Sequence, residues 1–290
     1  KLFLIKMETK KINASTFTPK ILNLYKSEFR NRLFPSNFRL LLIGESGCGK
    51  NVLLMEMLIR PEFLDYTNLT LYSTTVNQPE LVLLKSAFEN GITKEGLNDI
   101  FDNQELLCKL AKKGHPSDYT PSPELLVQTY LSLIPKFDPK DQKLVQAPNK
   151  KIKVTFSNNP NDIQSCDDLP KDEKSLVIFD DVVNLKNQKL MKSYFTRGRH
   201  NNCNIIYISQ SFYELDKNSI RANSNCFIFF ELGKRDRILI FNDLFPFEKD
   251  MIEQKVANHW KRAPHNYIFY NKVNKRLYKD IFEEKLIKID

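Results

Sequence analysis

A buried strand that ends in glycines and runs straight on into a helix commits a chain to very few folds. This chain has that succession at Phe38-Arg-Leu-Leu-Leu-Ile43, then Gly44-Glu-Ser-Gly-Cys-Gly-Lys-Asn51, then Val52-Leu-Leu-Met-Glu-Met-Leu-Ile59. The middle segment fits the phosphate-loop pattern G-x-x-x-x-G-K-[ST] at every fixed position but the last, where Asn51 replaces the hydroxyl residue. Glycines let the backbone fold tightly, so that consecutive N–H groups turn inward towards phosphate oxygens. Gly44, Glu45, Ser46, Gly47, Cys48, Gly49, Lys50 and Asn51 are therefore the expected nucleotide cradle, with Lys50 reaching the outer phosphates. A helix from Lys50 to Ile59, stopping before Pro61, would point its N-terminal dipole at the same anion. The bland alternative is a glycine-rich turn without a ligand, and the strand before and helix after speak against it.

The rest of the chain supplies strands of the same kind. Leu69–Ser73, Ser175–Asp181, Ile205–Ser209 and Cys226–Leu232 are short and almost continuously apolar, and Asn266–Tyr270 is strand-like. Helical stretches fall at Glu124–Leu133 and Gln188–Phe195. Continuously apolar strands alternating with helices predict an α/β fold, its mostly parallel central sheet flanked by helices on both faces. Ligands of such sheets sit at the carboxyl ends of the strands. Gly44, Asp180, Asp181 and Gln210 all fall at such ends. Residues 1–31 carry no motif, and the stretch from about 85 to 153, proline-punctuated and lysine-rich after Pro135, is expected to be an insertion or mobile loop.

Asp180 and Asp181 close an apolar strand in the manner of a Walker B pair. The first carboxylate would serve Mg2+ bridging the outer phosphates, and the second would orient or deprotonate the attacking water. A solvent-facing Asp-Asp turn is the alternative. Gln210, just past a strand, could sense the outer phosphate or position that water, or simply end the strand. Arg197 and Arg199 flank Gly198 between the two strands; either could be an arginine finger reaching across a subunit boundary or an ordinary surface residue. Asn51 carries an amide oxygen, which is a hard-cation ligand like the missing hydroxyl but sits on a longer side chain.

Composition bounds the setting. With 290 residues, 41% hydrophobic and 27% charged, the chain can bury a sizeable core. No run approaches the roughly 20 apolar residues that cross a bilayer, and Lys1–Met7 does not suit a signal peptide, so an intracellular protein with no membrane partner is expected. Cysteines 48, 108, 166, 203 and 226 form no C-x-x-C pair, and with the four histidines they suggest neither a disulfide framework nor a zinc site. Any metal should arrive with the nucleotide. The net charge of +9 is concentrated late: Gln254 to Lys279 has no acidic residue but holds Lys255, Lys261, Arg262, Lys272, Lys275, Arg276 and Lys279, interleaved with Tyr267, Phe269, Tyr270 and Tyr278. Such a segment can hold a phosphate backbone without reading sequence, or be a solvated edge.

Taken in order, these segments resemble the genome-packaging ATPases of the FtsK–HerA superfamily, and most nearly the poxvirus-type branch of large DNA viruses, virophages and Polinton (Maverick) elements. The likeness is carried by Leu40–Lys50, Leu71–Glu80, Leu176–Val182, Tyr194–His200, Ile205–Ser211 and Ile220–Asn225, over about residues 35–235. It implies a RecA-like P-loop NTPase core at 32–235, with 1–31 an N-terminal extension and 236–290 a small basic C-terminal extension. It also implies ATP and Mg2+ as cofactors, a homo-oligomeric ring (hexamer or pentamer), double-stranded DNA as substrate and capsid proteins as candidate partners. The setting it implies is host cytoplasm, nucleus or viral factory, with virion association an option. By position, Lys50 would bind phosphate, Asp180 and Asn51 serve magnesium, Asp181 be the catalytic carboxylate, Gln210 the sensor, and Arg199 rather than Arg197 the finger. Asn51 departs from the pattern and puts the metal geometry in question. Two other classes compete: a nucleotide-binding scaffold that has lost turnover, and a helicase or clamp-loader-like remodeller, for which the chain offers neither a second core nor a helical lid.

Overall fold

The computed structural model describes residues 33–60, 63–116, 118–133, 152–182 and 188–287. Nine strands pair into one sheet: β1 (Arg39–Ile43), β2 (Asn68–Ser73), β3 (Lys153–Ser157), β4 (Ser175–Asp180), β5 (Cys203–Ser209), β6 (Cys226–Phe230), β7 (Tyr267–Asn271), β8 (Arg276–Asp280) and β9 (Lys285–Leu286). Their spatial order is β3-β2-β4-β5-β1-β6-β7-β8-β9. From β3 to β6 every pairing is parallel; from β6 to β9 every pairing is antiparallel. The expected α/β class with a mostly parallel sheet is the one observed. Residues 236–287 continue that sheet through β7, β8 and β9.

The apolar runs are buried because the sheet is covered on both faces. All six residues of β4 and all five of β6 are buried. On one face Leu41, Ile43, Val177, Phe179, Ile205, Tyr207, Phe227 and Phe229 pack into a core with Met191, Tyr194 and Phe195 of α6 (Gln188–Arg197), Ile240 and Phe241 of α7 (Lys234–Leu244), and Ile252, Val256 and Trp260 of α8 (Lys249–Trp260). The alternate residues Leu40, Leu42, Ile178, Ile206, Ile208 and Ile228 are equally buried. β3 is one of the two edge strands and reads as one, with charged or polar residues interrupting its apolar positions.

The chain divides into two compact units. The first, from the described residues of Met57–Asp65 and Asn77–Ile152, contains α2 (Pro79–Glu89), α3 (Lys94–Asp102), α4 (Gln104–Ala111) and α5 (Pro123–Leu133). The stretch expected to be an insertion or loop is thus helical in its first half, and 134–151 lies outside the described residues. Thr93 caps α3 by accepting from the Gly96 N–H at 3.3 Å. The Lys94 ammonium is buried and donates to the Leu64 carbonyl at 2.5 Å; burial holds its pKa down at about 8. The second unit, from the described residues of Asn31–Glu56, Tyr66–Val76 and Lys153–Asp290, holds the sheet and, within it, Gly44, Lys50, Asn51, Asp180, Asp181 and Gln210. The α1 helix (Lys50–Ile59) forms with the bounds expected from the sequence. Residues 1–31, read as an extension, lie outside the described residues.

Phe179 is fully buried at the centre of this unit, between Tyr72 (centroids 5.6 Å), Tyr194 (5.3 Å) and Tyr207 (6.0 Å). Phe179→Ala is expected to lower stability by about 3–5 kcal/mol, measured by denaturant unfolding; a loss below about 1 kcal/mol would mean that this aromatic cluster is not the packing centre.

Candidate active site

Parallel register sets the level of the site. Ile43 pairs with Ser209, Asp180 with Ile208, and Ser73 with Asp180, so the ends of β1, β5, β4 and β2 share one edge. β5 lies between β1 and β4. Its end therefore stands between the glycine loop and the two carboxylates, and Gln210 follows directly.

The loop is tied down at both ends. The Gly44 N–H donates to the Ser209 carbonyl (3.2 Å) and the Cys48 N–H to the Glu45 carbonyl (3.3 Å), after which Leu53 N–H to Gly49 carbonyl (3.0 Å) starts the helical ladder. Gly47 (φ 76°) and Gly49 (φ 105°) take left-handed backbone that a side chain would strain. Gly44 is required for a different reason, since a Cβ there would meet Cys48 Sγ at 2.5 Å and Phe230 Cβ at 3.0 Å. Lys50 Nζ donates to the carbonyls of Gly44 (2.5 Å) and Glu45 (2.8 Å) and approaches Cys48 Sγ at 3.9 Å, so its ammonium sits at the loop. Asn51 is exposed on the first turn of α1.

Asp180 is buried, and Ser73 Oγ donates to its Oδ2 at 2.8 Å. Burial pushes its carboxyl above the ordinary range and Asp181 pushes the same way, while the Ser73 hydrogen bond and the Lys50 ammonium pull it back. Asp181 is exposed with a left-handed φ of 50°, a conformation that Asp tolerates better than most residues. Its N–H still joins the ladder, donating to the Ile208 carbonyl (3.1 Å), and its Oδ2 accepts from Gln210 Nε2 (2.8 Å). The two exposed side chains, Asp181 and Gln210, thus hold each other beside the buried carboxylate. Ser73 stood at a strand end in the sequence, but nothing there told its hydroxyl from any other; only pairing with β4 puts it on Asp180.

Arg197 and Arg199 are not with these residues. They precede the first residue of β5, whose seven residues at ~3.3 Å each separate them by about 20 Å from the Gln210 end. Arg197 pairs with Asp167 at 2.7 Å, and Arg199 Nε donates to His200 Nε2 at 3.2 Å; both arginines are exposed. Lys272, Lys275 and Arg276 also lie on that far edge, exposed at the β7–β8 turn, because Asn271 pairs with Cys226 at the start of β6. The aromatic residues interleaved with them do not join them on the surface: Phe269, Tyr270 and Tyr278 are buried, since β7 and β8 are strands of the core sheet.

On the β6 side of the loop, away from the carboxylates, is a pocket of about 490 Å³ lined by Glu45 to Cys48, Phe230 to Gly233, Trp260 and Ala263 to Asn266. His265, in left-handed backbone (φ 64°), bonds through Nδ1 to the Cys48 carbonyl at 3.0 Å. A carbonyl only accepts, so Nδ1 carries the proton. No motif marked His265 in the sequence. Among the described residues no cluster of His, Cys, Asp or Glu is sufficient by itself for a metal ion, and no helix is long and apolar enough to cross a membrane.

Among solved structures the chain is similar to the genome packaging NTPase B204 of Sulfolobus turreted icosahedral virus 2 in complex with ATP-gammaS (10% identity, 88% of this chain and 98% of that one, TM-score 0.43). It is also similar to VirB4 of Thermoanaerobacter pseudethanolicus (11%, 87% and 89%, 0.41) and to the plasmid coupling protein TrwB bound to a non-hydrolysable GTP analogue (13%, 87% and 86%, 0.44). No protein-family model and no curated protein matches the chain.

Gly44→Ala is expected to leave the fold intact and weaken binding of a fluorescent ATP analogue roughly tenfold, since overpacking costs about 1–3 kcal/mol. Unchanged affinity would show that the loop relaxes around Cys48 at no cost.

Proposed function

We propose that the chain is an ATP-hydrolysing DNA translocase subunit that packages a viral or virus-like transposon genome, of the poxvirus-type FtsK–HerA kind, acting as a homo-oligomeric ring. One observation carries this: a phosphate loop with its lysine, a buried carboxylate, and an exposed carboxylate held by a glutamine converge on one edge of a parallel sheet. Residues 32–235 form the ATPase core, with 85–153 as its insertion and 236–290 as a basic extension whose strands continue the core sheet.

In this scheme Lys50 exchanges the loop carbonyls for phosphate oxygens, where an ammonium makes stronger, charge-assisted bonds. The pocket beside Phe230 and His265 takes the nucleoside, because the carboxylates occupy the other side of the loop. The donor set fits Mg2+: Asp180 and the Asn51 amide offer hard oxygens, and the phosphates supply the remainder that the described residues lack. Magnesium, when bound, neutralises charge on the outer phosphates. Asp181 orients and takes a proton from the attacking water, and Gln210 aims Asp181 while reporting on the outer phosphate. Arg199 or Arg197, too far to reach its own site, serves the nucleotide of a neighbouring subunit.

Magnesium-dependent ATP hydrolysis, measured with and without linear double-stranded DNA, tests this. Turnover is expected to rise with DNA and to fall by at least about 100-fold in Lys50→Ala, as when one charge-stabilising donor is removed. Tight ATP binding without turnover would instead favour a nucleotide-gated scaffold, the reading that Asn51 supports. Asn51→Thr is expected to hydrolyse ATP at or above the unaltered rate; complete loss would refute the role given to position 51. Replacing Lys272, Lys275 and Arg276 by Ala should weaken DNA binding and flatten its salt dependence, the log–log slope falling by up to ~0.9 for each phosphate no longer neutralised. Identical binding at low and high salt would remove this turn from the DNA surface.

A further inference from the structure

Asp180 is held through one of its two oxygens. Its Oδ2 accepts from Ser73 Oγ at 2.8 Å, and no hydrogen bond among the described residues engages Oδ1. Ser73 is itself buried, at the end of β2, directly opposite Asp180 in the strand register. Its oxygen also accepts from the Thr75 N–H at 3.1 Å and lies 3.1 Å from Thr75 Oγ1. A hydroxyl has one proton and two lone pairs. An ionised carboxylate can only accept, so the Ser73 proton is given to Asp180 and both lone pairs are taken by Thr75. The hydroxyl is fully committed and cannot turn away or become a metal ligand itself.

We propose that Ser73, locked by Thr75, is a positioning residue that fixes the Asp180 carboxylate and leaves Oδ1 as its oxygen for the divalent cation that enters with the nucleotide. This rests on the nucleotide-hydrolysing function proposed above and adds a residue to it. The chain depends on the lock because Asn51 stands where a phosphate loop ordinarily presents a short hydroxyl ligand. With that ligand replaced by a longer amide, a freely rotating carboxylate at position 180 would leave the cation without a rigid protein oxygen. Partners behind a metal ligand typically matter by about 10–100-fold in metal affinity.

The test uses Mn2+ as a spin probe in place of Mg2+, titrated by electron paramagnetic resonance onto the full chain saturated with a non-hydrolysable ATP analogue. Ser73→Ala is expected to weaken Mn2+ binding by about tenfold or more, while analogue binding in EDTA stays unchanged because the loop and Lys50 are untouched. Ser73→Thr, which keeps the hydroxyl, should restore the cation, and adding Asn51→Thr to Ser73→Ala should recover part of the loss. Full Mn2+ affinity in folded Ser73→Ala, or equal weakening in Ser73→Thr, would overturn the inference alone. Should Ser73→Ala fail to fold, Thr75→Val loosens the same lock from its exposed side; undiminished Mn2+ affinity there overturns the inference as well. No analogue binding by the unaltered chain would overturn the nucleotide function, and the inference with it.

Discussion

Parallel pairing of β1, β5 and β4 is the constraint from which the site follows. Backbone hydrogen bonds across these strands set Ile43, Ser209 and Asp180 at one level, and the loop, Gln210 and Asp181 take their places from there. The Gly44 N–H still bonds the Ser209 carbonyl, and the Asp181 N–H the Ile208 carbonyl, so pairing persists one residue beyond the apolar strands. A one-residue slip in any of these strands would turn the core side chains to the wrong face and carry the polar ends out of register. The burial of these strands makes such a slip costly, so the exposed Asp181 and Gln210 keep fixed places at their ends.

The two carboxylates differ by environment rather than by kind. Asp180 is buried against Ser73 and within reach of the Lys50 charge, so a low dielectric raises its proton affinity and strengthens every bond it makes. Asp181 stands in water, in a backbone conformation that few side chains accept, steadied by Gln210. Strain of this sort persists where surrounding structure over-determines it, here through the β5 ladder on one side and the amide on the other. Neighbouring positions in the chain thereby acquire separate tasks, one rigid and one accessible.

The antiparallel end of the sheet supports the loop from the other side. β6 sets Phe230 against Gly44, and the segment leading into β7 sets His265 on the Cys48 carbonyl. The loop is therefore clamped between the end of β5 and the C-terminal part of the chain, and the pocket beside it is walled by residues far apart in sequence. Basic side chains at the β7–β8 turn and the two arginines before β5 occupy the opposite edge. The length of the strands thus keeps the loop edge and the basic edge apart.

Local physics made much of this legible beforehand. Glycine and lysine spacing announced the loop, and continuous apolar runs announced the buried strands, because both signals are confined to a few neighbouring residues. The α1 helix and the end of β5 fell where the side-chain pattern placed them, and β4 ended one residue earlier, at Asp180. Other elements were hidden: β3 alternates charge with apolar residues at an edge, α7 begins Lys234-Arg-Asp-Arg237, and α2 carries no single dominant stripe. Aromatic residues near the basic tail looked like surface and proved to be core, since alternation along β7 and β8 matters only once those strands have a sheet to join. Sequence by itself determined that a glycine loop with Lys50 would follow the end of a buried strand and open a helix. Tertiary structure alone decided that Ser73 grips Asp180, that His265 grips the loop, and that Arg197 and Arg199 stand beyond reach of their own site. Those pairings join segments up to 217 residues apart, and only strand order and register bring them together.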